Sequence, residues 1–331
     1  MLKKKAKYVF LVWSISTRRS ETLAKSLNAK IVFFNNERKN ILSQFFRYFL
    51  LTIKTLKVLK MEKADFVFVQ NPPIYSLFPV FLYAMWYRKK YIIDSHTITF
   101  LVERIHHHFF ILMHRFFSKF AFTVLIHNED LSYIGKNWRT PFFILEDRIP
   151  QFQISLRKKE KGQKFNLVVI CSFSPDEPIA EILQAAQKLE KVQFYLTGDF
   201  KKVKSDLRNS YPSNITFTGF LEEEKYVQLL RDADAIMALT TRPYTLLCGA
   251  YEAVAVERPL ITSSLPLLKR HFHQGTIHVE NTPEGIEDGI RRSLSSLENL
   301  RRKISELRVE KEREWKIRFE SFQKVLYDQI G

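Results

Sequence analysis

The feature that most restricts this chain is a rhythm of strand-length apolar runs. Tyr8–Trp13, Ile31–Phe34, Phe66–Gln70, Tyr91–Asp94 and Thr123–His127 are each separated by longer stretches with helical spacing. Alternation of that kind builds a parallel sheet with helices in the crossovers. The rhythm breaks at Gln151–Lys164, a polar and basic stretch after Pro150. It then restarts with Asn166–Cys171, Gln193–Thr197, Ile215–Phe217, Ala235–Ala238 and Leu260–Thr262. This predicts an α/β chain of two doubly wound, Rossmann-like domains, residues 1–150 and residues 151–330, joined by a linker. With 331 residues and 46% hydrophobic content, the chain has enough apolar mass for two cores. The charged tail Glu284–Tyr327 carries Ile286, Ile290, Leu294, Leu297 and Leu300 at helical spacing, and it is expected to pack back toward the first domain.

Several classes of protein are disfavoured. The turn after Trp13 (Ser14 to Ser20) and the turn after Cys171 (Ser172 to Asp176) lack the glycines of a dinucleotide fingerprint, and no Walker A loop is present. A nicotinamide or flavin enzyme is therefore not expected. The longest uncharged apolar run, Leu77–Tyr87, is too short to cross a bilayer, which takes roughly 20 residues. Lys3–Lys5 followed by Tyr8–Trp13 has the outline of a signal peptide but no small-residue cleavage site, and it reads better as a first buried strand of a cytoplasmic protein. Cys171 and Cys248 both sit in apolar surroundings, away from each other and from histidine, and read as buried thiols in a reducing compartment.

Charge is distributed unevenly. Residues 1–150 hold 24 Lys and Arg against 10 Asp and Glu, while the rest of the chain holds 28 against 25. The first half therefore calls for an anionic partner. No helix-turn-helix, RRM or zinc-finger pattern accompanies the charge, so nucleic acid is not expected. Two segments interleave basic and aromatic residues: 41–63, with Arg47, Lys54, Lys57 and Lys60, and the region of His106, His107, His108 and His114, where Phe109, Phe110, Phe116 and Phe117 alternate with Arg104, Arg115 and Lys119. The histidines lack acidic or cysteine ligands at tetrahedral-site spacing, so no metal site is expected there. Both segments read as surfaces for an anionic membrane, each cation near the leaflet contributing about 1 kcal/mol. The alternative for 41–63 is a buried amphipathic helix whose lysines stay in water.

Pieces of both halves, in order, resemble the GT-B glycosyltransferases, in particular the dolichol-linked chitobiose β-mannosyltransferase and its relatives among the retaining GT-B enzymes. In the first half these are VFVQNPPIYSLFPVFL (67–82), YIIDSHT (91–97) and ILEDRIP (144–150). In the second they are VVICSFSPDE, FYLTGD, ITFTGFLEEEKYVQLLRDADAIMALTT and GAYEAVAVERPLITS. The resemblance implies two domains facing a cleft and the transfer of a hexose from a UDP- or GDP-linked sugar without a metal or other cofactor. It also implies a glycan acceptor, here expected to ride on a lipid carrier at the inner membrane face.

Site residues follow from the same resemblance. Glu252 matches the glutamate that grips the donor ribose, and a carboxylate can accept both ribose hydroxyl protons. The alternative is a surface glutamate favoured by the helix dipole. The family's second glutamate, eight residues upstream, is replaced by Tyr244, which puts the sugar contact and the stereochemical course in question. Thr245, Leu247, Cys248 and Gly249 lead into the helix of Glu252, whose N–H groups suit a diphosphate, with Gly249 allowing close approach. Arg242 is the candidate cation for the leaving phosphate, or else a solvated loop arginine. Gly198, Asp199, Gly219 and Phe220 fall where the family's nucleobase pocket lies, or mark ordinary turns. His96 matches the histidine presented by the first domain, with Asp94 as its orienting partner, and is assigned catalysis with Arg242 and Tyr244. Ser14, Arg18 and Asn71 are assigned to the acceptor side. Two rivals remain: a nucleotide-sugar epimerase on the same architecture, and a non-catalytic partner subunit.

Overall fold

The computed structural model describes residues 6–15, 17–35, 41–101, 107–152, 164–199, 201 and 211–329. The chain divides into two compact units. Unit 1 is residues 1–148 together with 314–331, and unit 2 is residues 149–313. Most of the expected linker, residues 153–163, lies outside the described residues.

Unit 1 is built on a six-stranded parallel sheet of β1 (Tyr8–Val12), β2 (Lys30–Phe33), β3 (Phe66–Asn71), β4 (Lys90–Ser95), β5 (Thr123–Ile126) and β6 (Phe142–Ile144), in spatial order β2-β1-β3-β4-β5-β6. The strand side chains alternate between two cores, as the period of two requires. Val9, Leu11, Val67, Val69, Ile93, Val124 and Ile126 face one core, while Phe10, Val12, Phe66, Phe68, Ile92 and Leu125 face the other. On the first side lie α2 (Ile41–Glu62), α3 (Leu77–Tyr87), α4 (His107–Ser118) and α5 (Glu129–Ile134), which bury Leu51, Leu59, Leu77, Val80, Tyr83, Phe117 and Leu131. On the second lie α1 (Arg18–Leu27), through Leu23, Ala24 and Leu27, and the C-terminal segment, through Trp315, Phe319, Phe322 and Leu326.

Unit 2 repeats the plan with β7 (Phe165–Val169), β8 (Val192–Thr197), β9 (Ile215–Gly219), β10 (Ala235–Ala238), β11 (Leu260–Ser263) and β12 (Thr276–Val279), in order β12-β11-β10-β7-β8-β9. One face is covered by α6 (Ile179–Gln187) and α10 (Pro283–Ser295). The other is covered by α7 (Glu223–Asp232), α8 (Cys248–Ala255), α9 (Pro266–His271) and the start of α11 (Leu297–Tyr327), which contributes Ile304 and Leu307.

All ten strand runs read from the sequence are strands, and each sheet gains a sixth, β6 and β12. Both additions are short edge strands of three and four residues, too brief for a period to declare itself. The tail forms two helices that part at Ser296, and its last portion belongs with unit 1. Within α10, Ile286 and Ile290 are buried, whereas Leu294 is exposed. Two expectations fail. Cys248 is exposed, because it opens α8 at the sheet edge, whereas Cys171 is buried. His114 is not part of a basic surface: it is fully buried on α4, its Nε2 2.8 Å from Ser95 Oγ, with Phe100 and Trp138 against the ring. His106 and the side chain of His107 lie outside the described residues, and His108 is exposed. Among the described residues no helix is long and apolar enough to cross a membrane.

Phe322 is fully buried and touches Phe68 and Phe143 in unit 1. Phe322→Ala should destabilise unit 1 by about 3–5 kcal/mol, read as a lower urea midpoint with little change in slope.

Candidate functional site

Ligands of open parallel sheets gather at the carboxyl ends of the strands, where the strand order reverses. In unit 2 the reversal lies between β7 and β10, in unit 1 between β1 and β3. These edges hold most of the residues singled out by the sequence.

At the unit 2 edge, α8 opens at Leu247, whose side chain offers no cap to the first N–H groups. Thr245 and Leu247 are half-buried on the approach, Thr245 Oγ1 donating to the Pro243 carbonyl. Gly249 has a packing role here. A Cβ at that position would meet Ile170 Cβ and Cγ2 at 3.0 Å and Ala238 Cβ at 3.2 Å, so glycine lets the helix start lie against the sheet. One turn on, Glu252 is 6% exposed, and its Oε2 accepts a 2.5 Å hydrogen bond from the Tyr226 phenol of α7. The carboxylate is therefore held in a fixed place rather than free on a surface. Tyr226 lacked any distinguishing sequence signal, since α7 reads as an ordinary amphipathic helix.

Arg242 is neither free nor fully solvated. Its guanidinium lies 3.2 Å from Asp176 Oδ1, while Thr240 Oγ1 donates to Asp176 Oδ2 at 2.7 Å and the Thr241 N–H donates to the Asp176 carbonyl. Asp176 thus ties the turn after β7 to the loop after β10. Next to it, Glu177 accepts from the Ser172 and Ser174 N–H groups, at 3.0 Å each through Oε2. A carboxylate of the chain itself occupies the cradle that a phosphate-binding turn would leave open. Burial raises the Glu177 pKa despite these N–H donors. Tyr244 is 40% exposed and has a left-handed backbone, φ 59°. Gly198 has φ +91°, and a Cβ there would meet the Cys171 carbonyl oxygen at 2.4 Å, so close strand packing requires it. Asp199 caps the Lys201 N–H, Gly219 has φ +68° in open space, and Phe220 is 81% exposed. Those four residues form turns at the ends of β8 and β9.

The unit 1 edge is centred on Arg19, a residue the sequence did not single out although Arg18 beside it was. Its side chain is 6% exposed and reaches Asp94 Oδ1 at 2.8 Å and Asp147 Oδ1 at 2.6 Å, with a further bond to the Leu145 carbonyl. Helix phase decides this difference: one position along α1 turns the side chain from the rim into the unit. Burial opposes the Arg19 charge, but the two carboxylates hold the guanidinium protonated. Burial likewise pushes Asp147 up, and Arg19 with the nearby imidazoles outweighs it, leaving its pKa below the ordinary value. Asp94 was expected to orient His96; its Oδ1 serves Arg19 instead, and its Oδ2 has no partner among the described residues.

His96 follows β4, with its N–H donating to the Asn71 carbonyl at 2.9 Å. Its ring stands 5.1 Å from that of His127, edge to face. Burial lowers the His96 pKa, with Asp94 opposing and Arg19 reinforcing the shift; burial and then Arg19 place His127 well below its ordinary value. Thr17 caps α1 and, with Ser20, donates to Gln70 Oε1. Ser14 and Arg18 are half-buried on the rim, and Asn71 is 1% exposed. The structure therefore brings His96 and Asn71 together, and it brings Arg242, Thr245, Leu247, Cys248, Gly249 and Glu252 to the other edge.

Residues 177–323 match the family model described as glycosyl transferase-like. No curated protein matches the chain by sequence. Solved structures do match in fold. Sucrose-phosphate synthase (tll1590) from Thermosynechococcus elongatus aligns at TM-score 0.74 and 10% identity, covering 98% of this chain and 99% of that one. Anabaena Alr3699/HepE in complex with UDP and glucose aligns at TM-score 0.73 and 13% identity, covering 98% and 100%. A glycosyltransferase from Rickettsia africae ESF-5 aligns at TM-score 0.70 and 14% identity, covering 99% of each. Two six-stranded parallel sheets with helices on both faces are the GT-B fold, and the chain carries a glycosyltransferase-like domain on it. The expected enzyme class, a glycosyltransferase, stands on that domain and that fold.

The buried histidines give unit 1 a definite acid sensitivity. Their folded pKa values lie below 6.5, and His114 is pushed down to about 3. As pH falls through 6.5 the unfolded chain takes up protons that the native one refuses, so stability falls until the folded pKa is passed. Between about pH 7 and about pH 5 His114 should remove roughly 2 kcal/mol, measured by urea unfolding, with His96 and His127 acting in the same direction. His114→Gln should flatten the profile by about one histidine's share.

Proposed function

We propose that the chain transfers a hexose from a nucleotide-diphosphate sugar, UDP- or GDP-linked, to a hydroxyl of a glycan acceptor. The observation that carries this reading is the unit 2 edge: an uncapped helix start at the strand-order reversal, with the fixed Glu252 carboxylate one turn along. The helix N–H groups and the positive end of its dipole suit a diphosphate, and Glu252 suits the adjoining ribose hydroxyls. In the reaction the bond between the sugar's anomeric carbon and the phosphate oxygen breaks, and negative charge grows on the departing diphosphate. Arg242, tethered but still partly exposed, lies on the loop where that charge can be met, and Tyr244 lies two residues beyond it. No metal or other cofactor has a role in this scheme. The proton leaving the acceptor hydroxyl falls to His96 of unit 1, whose neutral ring is favoured by its surroundings. Ser14, Arg18 and Asn71 lie on the acceptor side, while the turns of Gly198, Asp199, Gly219 and Phe220 would border the base. The complexes of Alr3699/HepE with UDP and glucose lend support on the donor side.

The narrower form of the reading is an enzyme resembling the chitobiose β-mannosyltransferases, working in the cytoplasm at the inner membrane face on a lipid-carried glycan, as in polysaccharide or glycolipid synthesis. Support comes from the helix layer of α2, α3 and α4, where Phe46, Phe49, Trp86, Phe109 and Leu112 are exposed near Arg47, Lys54, Lys57, Arg88, Lys89 and Arg115. Apolar rings beside cations suit an anionic leaflet. The matched domain favours transfer over the epimerase alternative.

A thermal-shift series tests the donor half. UDP- or GDP-sugars at about a hundredfold excess over Kd should stabilise the protein by ~2.7 kcal/mol, and Glu252→Ala should abolish the shift. Tyr226→Phe should weaken it roughly threefold to tenfold by releasing the carboxylate. Normal binding in Glu252→Ala would remove the assignment. For the membrane half, the protein should float with phosphatidylglycerol vesicles and not with phosphatidylcholine ones, and the double variant Phe49→Ser, Trp86→Ser should stay behind.

A further inference from the structure

Two adjacent strands of unit 1 end in a pair of histidines. His96 follows β4 and His127 follows β5. The sheet register pairs Asn71 with Ser95 and Asp94 with Leu125, so His96 and His127 stand level, one step beyond the sheet, as their 5.1 Å ring separation confirms. His96 Nε2 and His127 Nε2 are both buried without a hydrogen-bond partner among the described residues. Buried polar groups are ordinarily hydrogen-bonded, so two orphaned nitrogens on neighbouring rings call for a partner. His96 is only half-buried, and the sp³–sp² torsion of an imidazole is soft, so a turn of its ring opens the pair to a ligand.

The chemistry of the pair is specific. A neutral imidazole donates with one nitrogen and accepts with the other. Burial keeps both rings neutral. Such a set matches neighbouring hydroxyls, which also donate and accept. It does not match a phosphate, which wants cations. The guanidinium at this edge is already shared by two carboxylates, Asp94 and Asp147, so the cluster as a whole disfavours an added anion.

We infer that His96 and His127 form a subsite for the hydroxyls of a neutral sugar, with His127 as a specificity-determining residue, and that the acceptor group bound in unit 1 is a glycosyl unit rather than a lipid phosphate. The inference rests on the glycosyltransferase reading for the word acceptor, but the binding claim stands by itself.

Saturation-transfer NMR on the full chain without donor tests it, with a panel of methyl hexopyranosides and, separately, dodecyl phosphate below its micellar concentration. At least one glycoside should receive saturation in the wild type, lose at least tenfold in affinity in His127→Phe, and lose less in His127→Gln, which keeps a polar atom at the site. UDP stabilisation measured on the same His127→Phe sample serves as the check that unit 2 is folded, and a native near-ultraviolet circular dichroism spectrum does so for unit 1. Absence of glycoside saturation, glycoside binding unchanged in a folded His127→Phe, or dodecyl phosphate binding that the variant abolishes would each overturn the inference. Glycoside binding in a protein indifferent to every nucleotide would instead sink the donor reading and leave this subsite in place.

Discussion

The buried ion cluster of Arg19 is the interaction on which the organisation of unit 1 depends. One guanidinium ties together the start of α1, the end of β4 and the segment after β6, elements drawn from residues 19, 94 and 147. Removing any member would strand a charge in a desolvated place, the most damaging kind of change a core can suffer. The same cluster sets the field around His96 and His127, so a structural tie and the protonation of the neighbouring imidazoles are one arrangement.

Unit 2 reaches a comparable order by internal carboxylates. Asp176 fastens the loop after β10 to the turn after β7, and Glu177 fills the N–H cradle of that turn. Glu252 is aimed by Tyr226. The strand-order reversal is therefore lined by groups that are already fixed, and little ordering entropy remains to oppose a ligand arriving there. Glycines contribute by letting backbone and helix come close, at Gly198 and Gly249, rather than by bending around a cofactor.

Much of this was legible in the sequence because it rests on periodicity. Ten strands, the crossover helices, the restart near residue 165 and the placement of His96, Asn71 and Glu252 near strand or helix ends follow from apolar spacing and from short motifs. What stayed hidden depends on helix phase and long-range pairing. Arg18 and Arg19 are indistinguishable until α1 is oriented. His114 reads like its exposed neighbours until α4 is laid on the sheet, where it meets Ser95. Tyr226 gains meaning only through a residue 26 positions away. His127 ended a predicted strand and drew no attention, because a single histidine there carries no local pattern.

The last stretch of α11 completes the second core of unit 1 with Trp315, Phe319, Phe322 and Leu326, although unit 2 intervenes in the sequence. During synthesis the sheet of unit 1 leaves the ribosome with one face covered only in part, by α1, and it waits while residues 149–313 are made. Phe10, Phe68 and Ile92 line that waiting face. Maturation of the first unit is in this way coupled to translation of the second, and a chain that stalls midway exposes an aromatic surface suited to capture by a chaperone.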